Sequence, residues 1–393
     1  MIPNPQILLV SPSAHYPSHY WPCTVALLQA LRQKGRRVRA VIFSTGTEPI
    51  PPDLQGCVES VFSRTPLLSR PLAAGRSRHP RLARWILAWE TLACLFKALK
   101  LARGCPNTTL HFLGGSQWVV MLAVRRCQQL RFVYSLYSIL LPCRGTGMKG
   151  RLRRYSEKLL QRAVATGRIE FIGENELVRE GSATLLGSRV HVILHAIDDG
   201  EALPSREEAR RRLDLPPQEK IVLFFGTHRR EKDYHTPLKG CLALANPPLA
   251  LFVGKVISAN DPRQVVADCH YPKARVVDEF IPEEMVKYYF AAADAVVLPY
   301  EENFSRGSGV LIDCCRHLRP MIASATPYFS AFLSRYHCGV TYASGNSASF
   351  ADALGRLLAD SAGCRAALEQ ARHDHSWTVL VDQYIQLYDG IIN

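Results

Sequence analysis

The feature that most constrains the fold is a repeated alternation of short apolar runs with amphipathic segments. Runs of this kind separated by helix-length segments are typical of a parallel α/β sheet. In the first half, strands are predicted at Gln6–Val10, Arg39–Phe43, Leu110–Leu113, Phe132–Leu136, Ile169–Ile172 and His191–Leu194, and helices at Cys23–Lys34, Leu82–Leu101, Trp118–Gln129 and Gly150–Val164.

The same alternation restarts after a polar stretch, Asp198–Lys220, which contains the Arg/Glu-rich helix Arg206–Leu213. Strands are predicted at Lys220–Phe225, Ala250–Val253, Arg275–Phe280, Ala295–Pro299, Met321–Ala323 and Val340–Tyr342. We therefore expect two Rossmann-like domains facing a cleft, residues 1–200 and 201–374, in a chain of 393 residues.

Several ligand signatures are missing from the sequence. The loop after the first strand, residues 11–21, lacks the G-x-G-x-x-G pattern of dinucleotide-binding folds, and no G-x-x-x-x-G-K-[ST] loop occurs. No histidine or cysteine cluster has metal-ligand spacing. We predict neither a dinucleotide cofactor nor a metal.

The net charge of +14 points to a polyanionic partner: nucleic acid, a phosphorylated ligand or an anionic membrane. Residues 1–200 hold about 27 basic and about 11 acidic residues, roughly +16, while the rest is close to neutral. The first half therefore carries the charge excess. The sequence has no apolar run of transmembrane length and no signal-peptide pattern, so we expect a cytoplasmic protein. Its 12 cysteines include no C-x-x-C pair, and we expect them to be reduced thiols.

Two segments of the second half have the chemistry of a phosphate site. Gly226 ends a strand and is followed by Arg230 and Lys232, whose cationic groups suit a diphosphate; a solvated basic loop is an equally open interpretation. Further on, a Gly/Ser turn precedes an apolar helix, which places free N–H groups of residues 308–310 at its start. Asp313, one turn into that helix, suits the hydroxyls of a ribose.

The order of these motifs resembles the nucleotide-sugar domain of the large group-one family of retaining glycosyltransferases, which have the GT-B fold. The matching segments are Gly226 to Lys232, Phe280–Asp294, Val296–Tyr300 and Leu318–Ser324. The tail from Ser376 to Tyr388 is similar to the family's closing helix, so residues 375–393 are expected to return to the first domain.

The resemblance implies transfer of a hexose-like sugar, with retained configuration, from a nucleoside diphosphate sugar, UDP- or GDP-linked, to a glycan, lipid-linked or small-molecule acceptor. It implies no metal. The catalytic residues it implies are His111, Arg230 and Lys232, and the donor-binding residues are Gly226, Thr227, Phe280, Ile281, Ser308, Gly309, Val310, Leu311 and Asp313.

The sequence departs from the family at two places. Ser305 and Asp313 fall where the family usually has a pair of glutamates, and Ser305–Leu311 is similar to a branch that lacks the first of them. Thr227 stands where the family commonly has an arginine. A noncatalytic protein with the same fold therefore remains one alternative, and a basic nucleic-acid-binding protein is another, although no nucleic-acid-binding motif occurs.

Acceptor-side residues are expected in the first half. His111 matches a strand end where the family often has a histidine, and a core histidine is equally compatible with its position. The loop and helix start after the first strand offer His15, His19, Tyr20 and Trp21 to an acceptor sugar, with core burial the alternative for Trp21.

A basic amphipathic segment in the first half predicts peripheral docking on an anionic membrane surface. Its residues are Arg81, Arg84, Trp85, Trp89, Lys97 and Lys100. A solvated face over the domain core, or general arginine richness, would give a similar composition. The expected partners are thus a nucleotide sugar, an acceptor and an anionic membrane, and not nucleic acid.

Overall fold

The computed structural model describes residues 6–15, 20–44, 49–62, 80–105, 107–140, 142, 147–197, 200, 202–304, 307–359 and 363–392. The chain forms two compact units, Met1–Ala196 together with Trp377–Asn393, and Ile197–Ser376. The units change at 196/197 and 376/377, where the sequence predicted 200/201 and 374/375.

The first unit contains a parallel sheet of seven strands in the order β3-β2-β1-β4-β5-β6-β7. The strands are β1 Ile7–Ser11, β2 Val38–Ser44, β3 Val58–Phe62, β4 Thr109–Phe112, β5 Arg131–Leu136, β6 Ile169–Gly173 and β7 Val190–Val192. The helices are α1 Tyr20–Gln33, α2 Pro80–Leu101, α3 Gln117–Arg126, α4 Gly147–Val164 and α5 Glu176–Leu186, with short 3-10 helices at Pro52–Leu54 and Gly187–Arg189.

The second unit contains a parallel sheet of six strands in the order β10-β9-β8-β11-β12-β13. Its strands are β8 Ile221–Phe225, β9 Leu249–Val253, β10 Ala274–Val277, β11 Ala295–Leu298, β12 Met321–Ser324 and β13 Gly339–Tyr342. Its helices are α6 Arg206–Arg212, α7 His235–Leu242, α8 Pro262–Asp268, α9 Glu283–Ala292, α10 Gly309–Arg316, α11 Pro327–Tyr336, α12 Ser347–Ala359 and α13 Cys364–Asp374.

The prediction of two parallel-sheet, Rossmann-like units is confirmed. Buried parallel strands have both faces covered by helices, so they are nearly continuous apolar runs in the sequence. Strand β3 was not predicted because it lies at the sheet edge and carries Glu59, whose carboxylate pairs with Lys97 of α2 at 2.9 Å.

The last helix, α14 (Trp377–Ile392), packs on the sheet of the first unit, as the sequence predicted. Its apolar side chains, among them Leu380 and Tyr384, share a core with Leu27 of α1. Ion pairs from Lys34 to Asp382 at 2.8 Å and from Arg36 to Asp389 at 2.6 Å flank this core.

A buried ion pair organises the second unit. Arg210 of α6 is 1% exposed, and it donates to Asp294 at 2.9 Å and to the carbonyl oxygen of Ala292 at 3.0 Å. Asp294 also accepts from the amide of Ile221 at 2.8 Å, so it joins α6 to the start of β8. This contact explains the aspartate that ends the Phe280–Asp294 motif: its role here is structural.

Candidate active site

Gly226 brings three separate segments together at the carboxyl end of β8. Its φ of +84° is a conformation that favours glycine. A methyl group at this position would lie 3.3 Å from Val310 Cγ2, in the first turn of α10, and 3.8 Å from Lys232 Nζ. The strand end, the ammonium group and the helix start, which the order of the motifs predicted to share a site, therefore lie close together.

Lys232 is the buried cation of this site. It is 7% exposed, donates to the carbonyl oxygen of Phe225 at 2.8 Å and lies 5.9 Å from the centre of the Tyr300 ring. Within the described part of the chain it forms no salt bridge with a carboxylate. Burial, with a further contribution from the charge of Arg229, lowers the pKa of Lys232 to about 7. A neighbouring anion would stabilise the charged form of this amine.

The backbone around Lys232 is held from outside its own loop. The side-chain amide of Asn260 donates to the carbonyl oxygen of Lys232 at 2.6 Å and to that of Arg229 at 3.0 Å. Lys232 also forms an antiparallel bridge with Tyr300, after β11. Asn260 was not predicted, because nothing in its local sequence distinguishes it from an ordinary turn residue.

The start of α10 offers amide groups to an anion. Ser308 is the N-cap residue, but its side chain makes no capping hydrogen bond; its Oγ lies 3.2 Å from Tyr300 Oη instead. The first amides of a helix have no partner within the helix. Among the described residues no side chain caps the N–H groups of Gly309 and Val310, and beside an ammonium group they suit a phosphate.

The structure also places the other predicted residues of α10. Asp313 lies in its second turn and is half-buried. Leu311 was predicted to bind the donor, but its side chain is fully buried and its amide is bonded to the carbonyl oxygen of Ser308 at 3.2 Å. It is therefore a core residue, with neither its side chain nor its N–H free for a ligand.

The neighbouring strand ends contribute residues that the sequence analysis did not name. Gly254 follows β9 with a φ of +140°, and a methyl group there would lie 2.4 Å from the carbonyl oxygen of Gly226. Lys255 lies 3.1 Å from Asp278, after β10. Hydrogen bonds to the Asp278 carboxylate lower its pKa well below its usual range. The largest effect comes from the Val256 amide, and the Arg263 and Lys255 side chains add to it. The repeated strand-then-glycine pattern was the available signal for Gly254.

The remaining predicted residues of the second unit lie nearer the surface. Arg230 is exposed, while Thr227 is half-buried and accepts from Arg229 Nε at 2.9 Å. Phe280 is 58% exposed and Ile281 is half-buried. The predicted strand Arg275–Phe280 was too long, because β10 ends at Val277 and the Phe280 ring leaves the core.

The structure corrects the assignment of His111 as a catalytic residue. His111 is fully buried in the first unit, with Nδ1 2.7 Å from Tyr388 Oη and Nε2 2.9 Å from Ser135 Oγ. Burial lowers its pKa to about 3. Both ring nitrogens are occupied, so His111 is a neutral core residue that joins β4 to α14 and β5.

The predicted acceptor loop also turns inward. His15 Nε2 lies 3.2 Å from the Glu90 carboxylate with both side chains 1% exposed, and Trp21 donates from Nε1 to the carbonyl oxygen of Pro49 at 3.2 Å in a small core. Tyr20 is half-buried, with its ring edge against Tyr137. These side chains are therefore packing residues here; His19 lies outside the described residues.

The predicted membrane-surface residues lie on α2. Trp85 is 76% and Trp89 65% exposed, Arg84 and Lys100 are exposed, and Lys97 pairs with Glu59. The side chain of Arg81 lies outside the described set. Further exposed apolar side chains of the first unit are Leu82 and Phe96 on α2, Trp118 and Leu122 on α3, and Tyr155 on α4.

Comparisons with known proteins bear on both units. Residues 205–374 match the model of a family described as glycosyl transferases group 1. A stretch of 108 residues, 28% of this chain, is 29% identical to the putative teichuronic acid biosynthesis glycosyltransferase TuaC of Bacillus subtilis (strain 168). That match spans a quarter of the curated relative's length.

Solved structures match nearly the whole chain. Sucrose-phosphate synthase from Thermosynechococcus elongatus superposes with a TM-score of 0.73 at 19% identity, covering 98% of this chain and 99% of that one. Anabaena Alr3699/HepE, solved in complex with UDP, gives 0.69 at 14% identity, covering 98% and 100%. The chain thus has the GT-B fold, and its residues 205–374 carry the pattern of the group 1 glycosyl transferases.

Proposed function

We propose that this chain is a glycosyltransferase that moves a sugar from a nucleoside diphosphate sugar to an acceptor. The observation that carries the proposal is the convergence of Lys232, Gly226 and the first turn of α10 at one strand end. A buried ammonium group beside uncapped helix amides is a site for an anion. Its location at the carboxyl edge of a parallel sheet is where such folds bind ligands.

The site suits a diphosphate as a leaving group. When the bond between the sugar carbon and the diphosphate oxygen breaks, negative charge collects on that oxygen. Lys232 and the N–H groups of Gly309 and Val310 would stabilise this charge through groups already in place, which is the most effective form of electrostatic catalysis. The exposed Arg230 adds a flexible cation, and Asp313 would accept hydrogen bonds from the ribose.

The nucleotide we propose is UDP or GDP. One relative in fold, Anabaena Alr3699/HepE, was solved in complexes with UDP and with UDP-glucose. In the present chain Phe280 follows β10, a strand that lies two positions from β8 in the sheet, about 10 Å away. Its exposed ring offers a flat apolar face for the base.

Retention of configuration is also part of the proposal, and it rests on the sequence resemblance. Ser305, in place of the first glutamate of the family pair, lies outside the described residues. Two closely spaced carboxylates are the signature of glycoside hydrolysis through a covalent intermediate, and transfer from a good leaving group does not require them. Proton nuclear magnetic resonance of the newly formed anomeric centre would test retention directly.

For the acceptor we propose a lipid-linked molecule at an anionic membrane surface on the cytoplasmic side. Leu82, Trp85, Trp89 and Phe96 recur on one face of α2 and are 46–76% exposed, so they form an apolar stripe that nothing in the described chain covers. Arg84 and Lys100 provide cations for lipid headgroups. Among the described residues, no helix has the length and hydropathy to cross a bilayer.

The experiment that tests transfer is incubation of the purified full chain with uridine, guanosine and adenosine diphosphate sugars and a lipid extract. Release of free nucleoside diphosphate, followed together with the mass of the glycosylated lipid, reports turnover. The noncatalytic alternative predicts donor binding without product. The nucleic-acid-binding alternative predicts binding of duplex or single-stranded nucleic acid and none of any donor.

A further inference from the structure

A cysteine, a histidine and a carboxylate meet in the first unit. Cys23 lies in the first turn of α1, Glu174 directly follows β6, and His195 follows β7. His195 Nδ1 is 3.1 Å from Glu174 Oε1, and Cys23 lines the same small cavity as these two residues. A nucleophile next to a base that a carboxylate orients is the arrangement of an activated thiol.

The three residues line a cavity of about 40 Å³. Other residues of its wall are Leu113, Ser135, Tyr137, Trp377 and Tyr384. A single water needs roughly 10–15 Å³, so the cavity admits a molecule of a few non-hydrogen atoms. The thiol therefore faces a space that selects small reagents.

The surroundings of the cavity favour the charged form of His195. Burial opposes a charge on His195, but the hydrogen bonds to Cys23 and Glu174 outweigh it and raise the pKa of His195 well above its usual value. An imidazolium beside a cysteine stabilises the thiolate. The nearby phenols of Tyr20, Tyr137 and Tyr384 have pKa values raised first by burial, so at neutral pH they add no charge.

Other cysteines lack this setting. Among the cysteines that the structure describes, Cys23 and Cys127 are partly exposed and the rest are buried. Burial raises the pKa of the Cys127 thiol, opposed by the charge of Arg168. Cys127 is thus a matched reference of similar exposure.

We propose that Cys23 is a peroxide-reactive thiol whose sulfur attacks a small hydroperoxide within this cavity. His195 first accepts the thiol proton. The sulfur–oxygen bond then forms as the oxygen–oxygen bond breaks, so sulfur is oxidised to sulfenic acid and the peroxide is reduced. The departing oxygen takes the proton from His195 and leaves as water or an alcohol. Glu174 is a positioning residue that holds the imidazolium.

The test is peptide-resolved labelling of the folded full chain, with hydrogen peroxide as oxidant and dimedone as the trap for sulfenic acid. We expect Cys23 to be labelled about tenfold or more faster than Cys127. His195→Gln and Glu174→Gln should each slow labelling of Cys23 and leave Cys127 unchanged. Circular dichroism of each variant reports whether it is folded.

Equal labelling of Cys23 and Cys127 in the unaltered chain would overturn the proposal, and this comparison needs no variant. Undiminished labelling of Cys23 in folded His195→Gln would also overturn it. The readout is a peptide mass, so it is independent of whether the chain transfers sugars.

Discussion

The ammonium group of Lys232 donates a 2.8 Å hydrogen bond to the carbonyl oxygen of Phe225, the last residue of β8. The bond fixes a cation at the strand end where Gly226 turns the chain. Because the amine is buried without a described carboxylate partner, its charge depends on what occupies the site. This dependence makes the site testable by pH as well as by mutation.

Donor affinity should fall as the pH rises through about 7. Lys232 has its pKa lowered to about 7, so it is charged below that pH and neutral above it. A diphosphate binds the charged form, and affinity should therefore decline by up to tenfold per pH unit on the alkaline side. Isothermal titration with UDP or GDP between pH 6.5 and 9 measures this decline. A flat profile would exclude Lys232 as the principal phosphate contact.

Gly254→Ala should lower the free energy of unfolding by about 1–3 kcal/mol, because φ there is +140° and the added methyl group meets the Gly226 carbonyl oxygen. Gly355→Ala in helix α12 is the matched control, since nothing lies within 4 Å of its added methyl group. It should stabilise the chain by about 0.5–1 kcal/mol. Urea unfolding measures both, and equal effects would contradict the close approach of β8 and β9.

His111→Phe should destabilise the fold and leave donor affinity unchanged. The substitution removes the partner of the Tyr388 and Ser135 hydroxyls in the core. Each hydroxyl left unpaired should lower the free energy of unfolding by about 1–3 kcal/mol. Thermal unfolding and donor titration on the same preparation separate the two effects. Loss of turnover in a variant of unchanged stability would instead restore His111 as a catalytic residue.

Replacing Trp85, Trp89 and Phe96 together by serine should abolish co-flotation with vesicles that contain phosphatidylglycerol. These side chains are 64–76% exposed, so replacing them should change the free energy of unfolding little. Binding by the unaltered chain should weaken at high salt and be absent with neutral lipid alone. Failure of the unaltered chain to float at low salt would remove the membrane proposal.

Most strands were predictable because both faces of a parallel sheet are covered. Edge strand β3 was missed, since Glu59 breaks its apolar run, and β10 was predicted too long because the exposed Phe280 looks apolar in sequence. Hydrophobicity indicates that a strand is present, but packing determines the residue at which it ends.

The grouping of Gly226, Lys232 and Ser308 was predictable, because these residues follow a strand or begin a helix. Asn260 was not, because it acts on backbone carbonyl groups 28 and 31 residues away. His111 was assigned to the site by the family resemblance, and its core role could not be foreseen because its partner Tyr388 lies 277 residues further along the chain. Side-chain roles set by such distant contacts leave no local pattern.

The most direct test of the account is titration of Lys232→Met with UDP and GDP and their sugars, beside Lys239→Met as an exposed control. Methionine keeps the buried aliphatic part of the side chain and removes the ammonium charge. We predict that Lys232→Met weakens binding of the preferred nucleotide by roughly 10–150-fold, the range expected for a lost hydrogen bond to a charged group, and that Lys239→Met does not. Unchanged affinity in Lys232→Met would contradict the proposed donor site.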